Sequence, residues 1–123
     1  MGARILIAED EANIAESLGF ILGRAGHAVT AVPDGEAALQ ALRKQLPDLL
    51  ILDIMLPGLN GFEVLKAIKA DARTRELPVI VLTAKAQQHD RELAAALGAA
   101  SYLTKPFANQ DIVAQVARFT AQH

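Results

Sequence analysis

Residues 49–53 read Leu49-Leu50-Ile51-Leu52-Asp53, four consecutive apolar side chains and then a carboxylate. A strand sends alternate side chains to opposite faces, so an unbroken apolar run of this length needs cover on both sides. That is the signature of an inner strand of a parallel sheet held between two helix layers. Val79-Ile80-Val81-Leu82 repeats the pattern and ends on Thr83. Two further runs complete the set: Arg4-Ile5-Leu6-Ile7-Ala8 runs into Glu9-Asp10, and the shorter Tyr102-Leu103-Thr104 runs into Lys105-Pro106.

Working outward from these strands, helical periodicity fills each gap. Asn13 is placed to cap a helix reaching Ala25, with Ile14, Leu18, Ile21 and Leu22 at helical spacing and Gly26 as its stop. His27 to Val32 reads as a strand, and Asp34 in the turn Pro33-Asp34-Gly35 can cap a second helix running to Leu46 with Ala38, Leu39 and Leu42 inward. After Asp53, Pro57, Gly58 and Gly61 mark a turning loop before a helix over Phe62 to Ala70. The polar stretch Asp71 to Glu76 and Pro78 close that helix. A fourth helix is expected over Asp90 to Leu97, stopped by Gly98, and a fifth capped by Asn109 with Ile112, Val113, Val116 and Phe119 inward. Five alternations of strand and helix predict an α/β domain, a doubly wound five-stranded parallel sheet with helices on both faces. Right-handed crossovers then gather the C-terminal strand ends along one edge, where open α/β sheets bind ligands.

Composition sets the outer bounds. The chain has 123 residues, 52% of them hydrophobic. One core suffices at that length, and residues 1–123 read as one domain that buries about 65 to 70% of its unfolded surface. Cysteine is absent, so thiolate metal sites are ruled out and any metal is expected to take oxygen ligands. Met1 to Ala8 is too short for a membrane span or signal peptide, and a cytoplasmic location is expected. Twelve basic and fourteen acidic residues are interspersed, with a formal charge of −2 and no basic stripe for a nucleic-acid backbone.

The strand-end residues carry the chemistry. Glu9-Asp10 alone commonly means a solvated turn or helix cap, Thr is a good strand residue, and lysines are usually solvated. Asp53 is different, because a carboxylate at the end of a central strand pays for burial unless something pairs with it. Two more carboxylates beside it call for a cation, and an oxygen-only donor set without a closed cage suits Mg²⁺ and a phosphate oxygen. Lys105, fixed in place before Pro106, can neutralise one carboxylate and pair with phosphate. Asp53 can then act as a nucleophile toward phosphorus, with Thr83 donating to an equatorial oxygen.

In this order and register the motifs resemble the receiver domain of bacterial two-component response regulators over essentially the whole chain. The matching residues are Glu9-Asp10, Asp53 followed by Ile54-Met55-Leu56-Pro57-Gly58 and Asn60-Gly61, Thr83-Ala84, and Lys105-Pro106-Phe107. The resemblance implies a flavodoxin-like, chemotaxis-regulator-like sheet of order 2-1-3-4-5 and a phosphoacceptor switch in which Asp53 takes phosphate from a histidine kinase or phosphotransfer protein. It implies Mg²⁺ held by Asp10, Asp53 and the Met55 backbone carbonyl, with Glu9 acting through water. It makes Thr83 and Tyr102 a switch pair, although Tyr102 also reads as a strand aromatic covering the sheet edge. Kinase docking would fall on Asn13, Ile14, Ser17 and the neighbouring Leu18, with Pro106 and Phe107. Met55 and Lys85 would flank the hydrolytic water, and neither suits orienting it, so slow self-dephosphorylation is expected.

Some alternatives stay open at this level. An interaction module of the same fold would signal without phosphorylation. A hydrolase with an aspartate nucleophile would need a second acid where Met55 stands, and nucleotide binding is not expected because no Gly-rich phosphate loop follows strand one. The only chemistry expected is gain and loss of the chain's own phosphate. Regulators that dimerise through the fourth helix, fifth strand and fifth helix carry charges there, whereas Ala94-Ala95-Ala96, Ala99-Ala100-Ser101, Gln110 and Gln115 argue against that dimer. His27, His89 and His123 belong to no motif and read as surface residues. The ending after the fifth helix fits a free-standing regulator or a receiver cut from a longer protein, and a downstream protein partner is expected without being specified.

Overall fold

A computed structural model describes residues 2–84 and 87–120. The elements run β1 (Arg4–Ala8), α1 (Ala12–Arg24), β2 (Ala28–Val32), α2 (Gly35–Lys44), β3 (Leu49–Asp53), α3 (Gly61–Ala70), β4 (Val79–Thr83), α4 (Gln88–Ala96), β5 (Ser101–Thr104) and α5 (Asn109–Thr120). The strands form one parallel sheet of order β2-β1-β3-β4-β5. Every residue of β3 and β4 is buried, as their apolar runs require.

The sheet divides the interior into two layers. Leu6, Leu50, Leu52, Val79 and Val81 face one way and meet Ala38 and Leu42 of α2, Val64, Leu65 and Ile68 of α3, and Ala94 of α4. Ile5, Ile7, Leu49, Ile51, Ile80 and Leu82 face the other way against Leu18 and Leu22 of α1 and Ile112 and Val116 of α5. Each fully buried Leu or Ile contributes about 1.5–3 kcal/mol of transfer free energy, so the two layers fix the strand register and with it the position of the strand ends. β2 lies at one edge, pairs only with β1 and has no fully buried residue.

Several element ends differ from expectation. Helix α1 starts one residue before Asn13, with Glu11 at the cap position and no side-chain cap, so Asn13 is an ordinary first-turn residue. Asn109 is likewise the first residue of α5 rather than its cap, and the Ile112 amide bonds back to the Ala108 carbonyl. α2 ends at Lys44, two residues short of Leu46, and Leu46 is exposed. The Asp34 cap holds, with its Oδ1 accepting from the Ala37 amide at 2.7 Å. Gly26 has φ of 98°, a conformation that L side chains resist, and ends α1 as expected.

α3 begins with a device the loop reading passed over. Asn60 Oδ1 accepts from the Glu63 amide at 3.0 Å and Glu63 Oε1 accepts from the Asn60 amide at 3.2 Å, a capping box. Gly61 lets this helix start directly under the end of β3: a Cβ there would lie 2.5 Å from Ile54 Cα and 2.7 Å from the Asp53 carbonyl oxygen. Of the histidines, His89 is exposed, but His27 is half-buried and its Nδ1 accepts from the Ala3 amide at 2.9 Å. His27 is therefore a structural acceptor that ties the start of β1 to β2, and His123 lies outside the described residues. No helix among the described residues is long and apolar enough to cross a membrane.

Candidate active site

Asp53 closes β3 and is 2% exposed. Its Oδ1 accepts from the Met55 amide at 2.8 Å and its Oδ2 from the Lys105 ammonium at 2.9 Å. The same ammonium stands 2.6 Å from Glu9 Oε1, just past the end of β1. Lys105 is held from its own backbone, whose amide donates to the Thr83 carbonyl at 2.7 Å, and its peptide bond to Pro106 is cis. One lysine thus bridges two carboxylates that arrive from two different strands.

Glu9 is the least satisfied member of this group. Its Oε2 accepts from the Glu11 amide at 3.1 Å, but its buried Oε1 has no hydrogen bond of good geometry among the described residues, the Lys105 contact being an ion pair. Burial pushes the Glu9 carboxyl up to about 7, and Asp53 adds to the rise, against the pull of Lys105 and the Glu11 amide. For Lys105, burial works against the charge, yet Glu9 and Asp53 more than offset it and hold the ammonium above the usual lysine value. Asp10 completes the group from an exposed position: Glu9, Asp10 and Asp53 each offer an oxygen, all within 4.8 Å of one another. Lys105 pairs with two of these carboxylates and Asp10 adds a third oxygen donor beside them, a donor set that fits a hard divalent cation.

The remaining expected residues fall around this pocket. Asp53 pairs in register with Leu82, so the fully buried Thr83 stands one residue further along the adjacent strand. Thr83 pairs in register with Thr104 of β5, which places it beside the half-buried Tyr102. Burial and Asp90 raise the Tyr102 phenol above its ordinary value, while Arg91 and the nearby Thr83 hydroxyl lower it. Met55 is tied down by its amide, and its side chain is 51% exposed. Lys85 lies outside the described residues.

Ile14, Ser17, Pro106 and Phe107 line one open cleft of about 460 Å³ together with Lys105 and Ile21. Asn13 is exposed but is not among the residues lining it, and Leu18 is fully buried in the sheet-facing layer, so it is not available for docking. A second hollow of about 420 Å³ lies at the opposite end of the sheet, between Arg4, Thr30 and Lys44, away from the carboxylates. On the α4–β5–α5 face, Ala95 and Ala96 are exposed and Gln115 accepts from the Ser101 hydroxyl at 2.9 Å, whereas Ala94 is buried.

Sequence reasoning missed Arg91. Its guanidinium lies 5.0 Å from the centre of the Tyr102 ring and donates to Thr104 Oγ1 at 3.2 Å. Both partners are distant in sequence, and no motif or periodicity marks a single exposed arginine on a polar helix.

Known proteins resemble this chain in sequence and fold. The family profile described as "Response regulator receiver domain" matches residues 5–117. The phosphate regulon transcriptional regulatory protein PhoB of Escherichia coli is 40% identical over 116 residues, 94% of this chain and 51% of that protein. The DNA-binding response regulator MtrA of Mycobacterium tuberculosis is also 40% identical, over 94% of this chain and 50% of that protein. The chain thus spans about half the length of the curated relatives it matches. Among solved structures, a putative response regulator from Chloroflexus aurantiacus superposes with a TM-score of 0.94 at 36% identity, covering 99% of this chain and 100% of that one. The receiver domain of the sensor histidine kinase PA1611 of Pseudomonas aeruginosa, solved with magnesium coordinated in its active site cleft, has a TM-score of 0.90 at 33% identity and covers 99% and 100%. With a profile match across nearly all of its length and the flavodoxin-like sheet order, the chain belongs to the response regulator receiver domain family of two-component systems.

Proposed function

We propose that Asp53 is the phosphoacceptor of this receiver domain and takes a phosphoryl group from a phosphohistidine of a kinase or phosphotransfer protein. The supporting observation is the placement of Asp53: a buried carboxylate at the end of the central strand, held by the Met55 amide on one oxygen and Lys105 on the other. A carboxylate oxygen of Asp53 attacks phosphorus in line as the P–N bond to the donor imidazole breaks, and the electron pair leaves with the imidazole nitrogen. Lys105 already faces the point of attack and offsets the incoming phosphate charge, and Thr83 is set on the adjacent strand to donate to a phosphoryl oxygen.

Glu9, Asp10, Asp53 and the Met55 carbonyl are the groups that would hold Mg²⁺. When bound, the ion supplies charge neutralisation at the phosphoryl oxygens. Movement of Thr83 toward the phosphoryl group, with Tyr102 turning inward behind it, would carry the signal to α4 and β5, the face offered to the downstream partner. Ile14, Ser17, Pro106 and Phe107 form the cleft for the kinase. The domain is a signalling switch whose only chemistry is on itself, and its phosphate is long-lived because Met55 does not orient water.

Incubation with acetyl phosphate and Mg²⁺ tests the reading. The parent should acquire one base-labile phosphate, and Asp53→Asn should acquire none; full labelling of that variant would move the acceptor elsewhere. No labelling of a folded parent would favour an interaction module that signals without phosphorylation. Asp10→Asn should weaken Mg²⁺ binding first, so that a titration needs more Mg²⁺ to reach the same labelling.

A further inference from the structure

Helix α4 is thinly attached. Ala94 is its one fully buried residue, and the Gln87 side chain makes no cap bond at its start. Against that background Arg91 makes two contacts to β5 at once, its Cζ over the Tyr102 ring at 5.0 Å from the centre and its Nη2 donating to the Thr104 hydroxyl at 3.2 Å. Tyr102 in turn neighbours Thr83 at the end of β4, since β4 and β5 pair Val81 with Tyr102 and Thr83 with Thr104. The side chains Thr83, Tyr102 and Arg91 therefore form one continuous line from the edge of the carboxylate pocket to the outer surface.

We propose that Arg91 is a positioning residue that clamps the Tyr102 ring onto β5 and makes the seating of α4 and the position of that ring a single event. A guanidinium can stack on an aromatic ring and donate to a hydroxyl in the same pose, because its donors lie in the plane of its charge. A lysine ammonium keeps the charge but gives up that combination. The clamp works in the free protein. Its use as an output route, in which a pull on Thr83 releases ring and helix together, rests on the phosphoacceptor reading of Asp53.

The sequence supplies its own probe, since Tyr102 is the single tyrosine and there is no tryptophan. The full chain labelled with 3-fluorotyrosine should give one ¹⁹F resonance, and phenolate absorbance of the unlabelled chain reports the same ring. In Arg91→Gln the resonance should move toward that of free fluorotyrosine. Amide exchange across residues 88–96 should quicken roughly tenfold, as for loss of one cation–π contact and one hydrogen bond, while exchange in β3 and β4 stays at the parent rate. The phenol should titrate higher without the nearby positive charge. Arg91→Lys should restore the titration in part but leave the resonance and the α4 exchange displaced.

Parent-like resonance and α4 exchange in Arg91→Gln would overturn the clamp, and so would full rescue of both by lysine, which would reduce the effect to charge alone. With acetyl phosphate and Mg²⁺, Arg91→Gln should incorporate phosphate like the parent yet no longer change its α4 exchange. Phosphate-dependent exchange as large as the parent's would overturn the output route. Failure of the parent itself to incorporate phosphate would count against the Asp53 reading, leaving the clamp to be decided in the free protein.

Discussion

At the scale of single residues, Glu9 makes the pocket sensitive to pH. In the folded protein it holds its proton up to about pH 7, against an ordinary value of 4.5. Between those values the folded state binds more protons than the unfolded one, so stability falls as pH rises through the window. Urea unfolding of the metal-free protein from about pH 4.5 to about pH 7.5 should show the parent losing ground steadily to Glu9→Gln, and added Mg²⁺ should recover most of that loss at the upper end. Parallel curves for parent and variant would mean that Glu9 titrates normally. Asp53 and Lys105 were legible because unlike charges at the ends of buried strands have few other uses. The burden on Glu9 was not, since it depends on one lysine serving two carboxylates, which appears only when β1, β3 and the segment after β5 are side by side.

Among the elements, the start of α3 and the face of α1 carry the next expectations. The Asn60–Glu63 capping box satisfies two amides beside the acceptor loop, so Asn60→Ala should cost about 1 kcal/mol. That lowers the melting temperature by about 4 °C for a domain of this size, and an unchanged melting curve would remove the box from the stability account. Ile14 lines the cleft with Pro106 and Phe107. Ile14→Asp should therefore slow phosphotransfer from the kinase while acetyl phosphate labelling stays near the parent rate, and equal loss with both donors would count against docking. Strand positions were readable to within a residue because an apolar run has sharp ends. Helix starts were not, since Asn13 and Asn109 favour the cap position yet sit two residues and one residue past it, inside the first turn. Periodicity also could not separate Leu18, which belongs to the sheet, from Ile14 one turn earlier, because both sit on one stripe and only the packed sheet decides which is covered.

The whole molecule is two apolar layers bound to one twisted sheet, and its architecture was legible because β3 and β4 admit no other environment. The link from Thr83 through Tyr102 to Arg91 was not, as it runs across three elements in sequence-distant pieces. One consequence of the sheet order concerns the protein in concentrated solution. β2 ends the sheet with Ala28-Val29-Thr30-Ala31-Val32, five uncharged residues of which none is fully buried, and its outer backbone groups have no strand beyond them. Such a border offers pairing to another chain, and this one lacks the lysine or internal proline that usually discourages it; Pro33 stands only at its end. Crowding should therefore drive self-association through β2 sooner than through β5, whose residues are all half-buried and whose Tyr102 and Thr104 lie under Arg91. Ala31→Lys should lower light scattering at high concentration with little change in melting temperature, and scattering equal to the parent's would place the sticky border elsewhere.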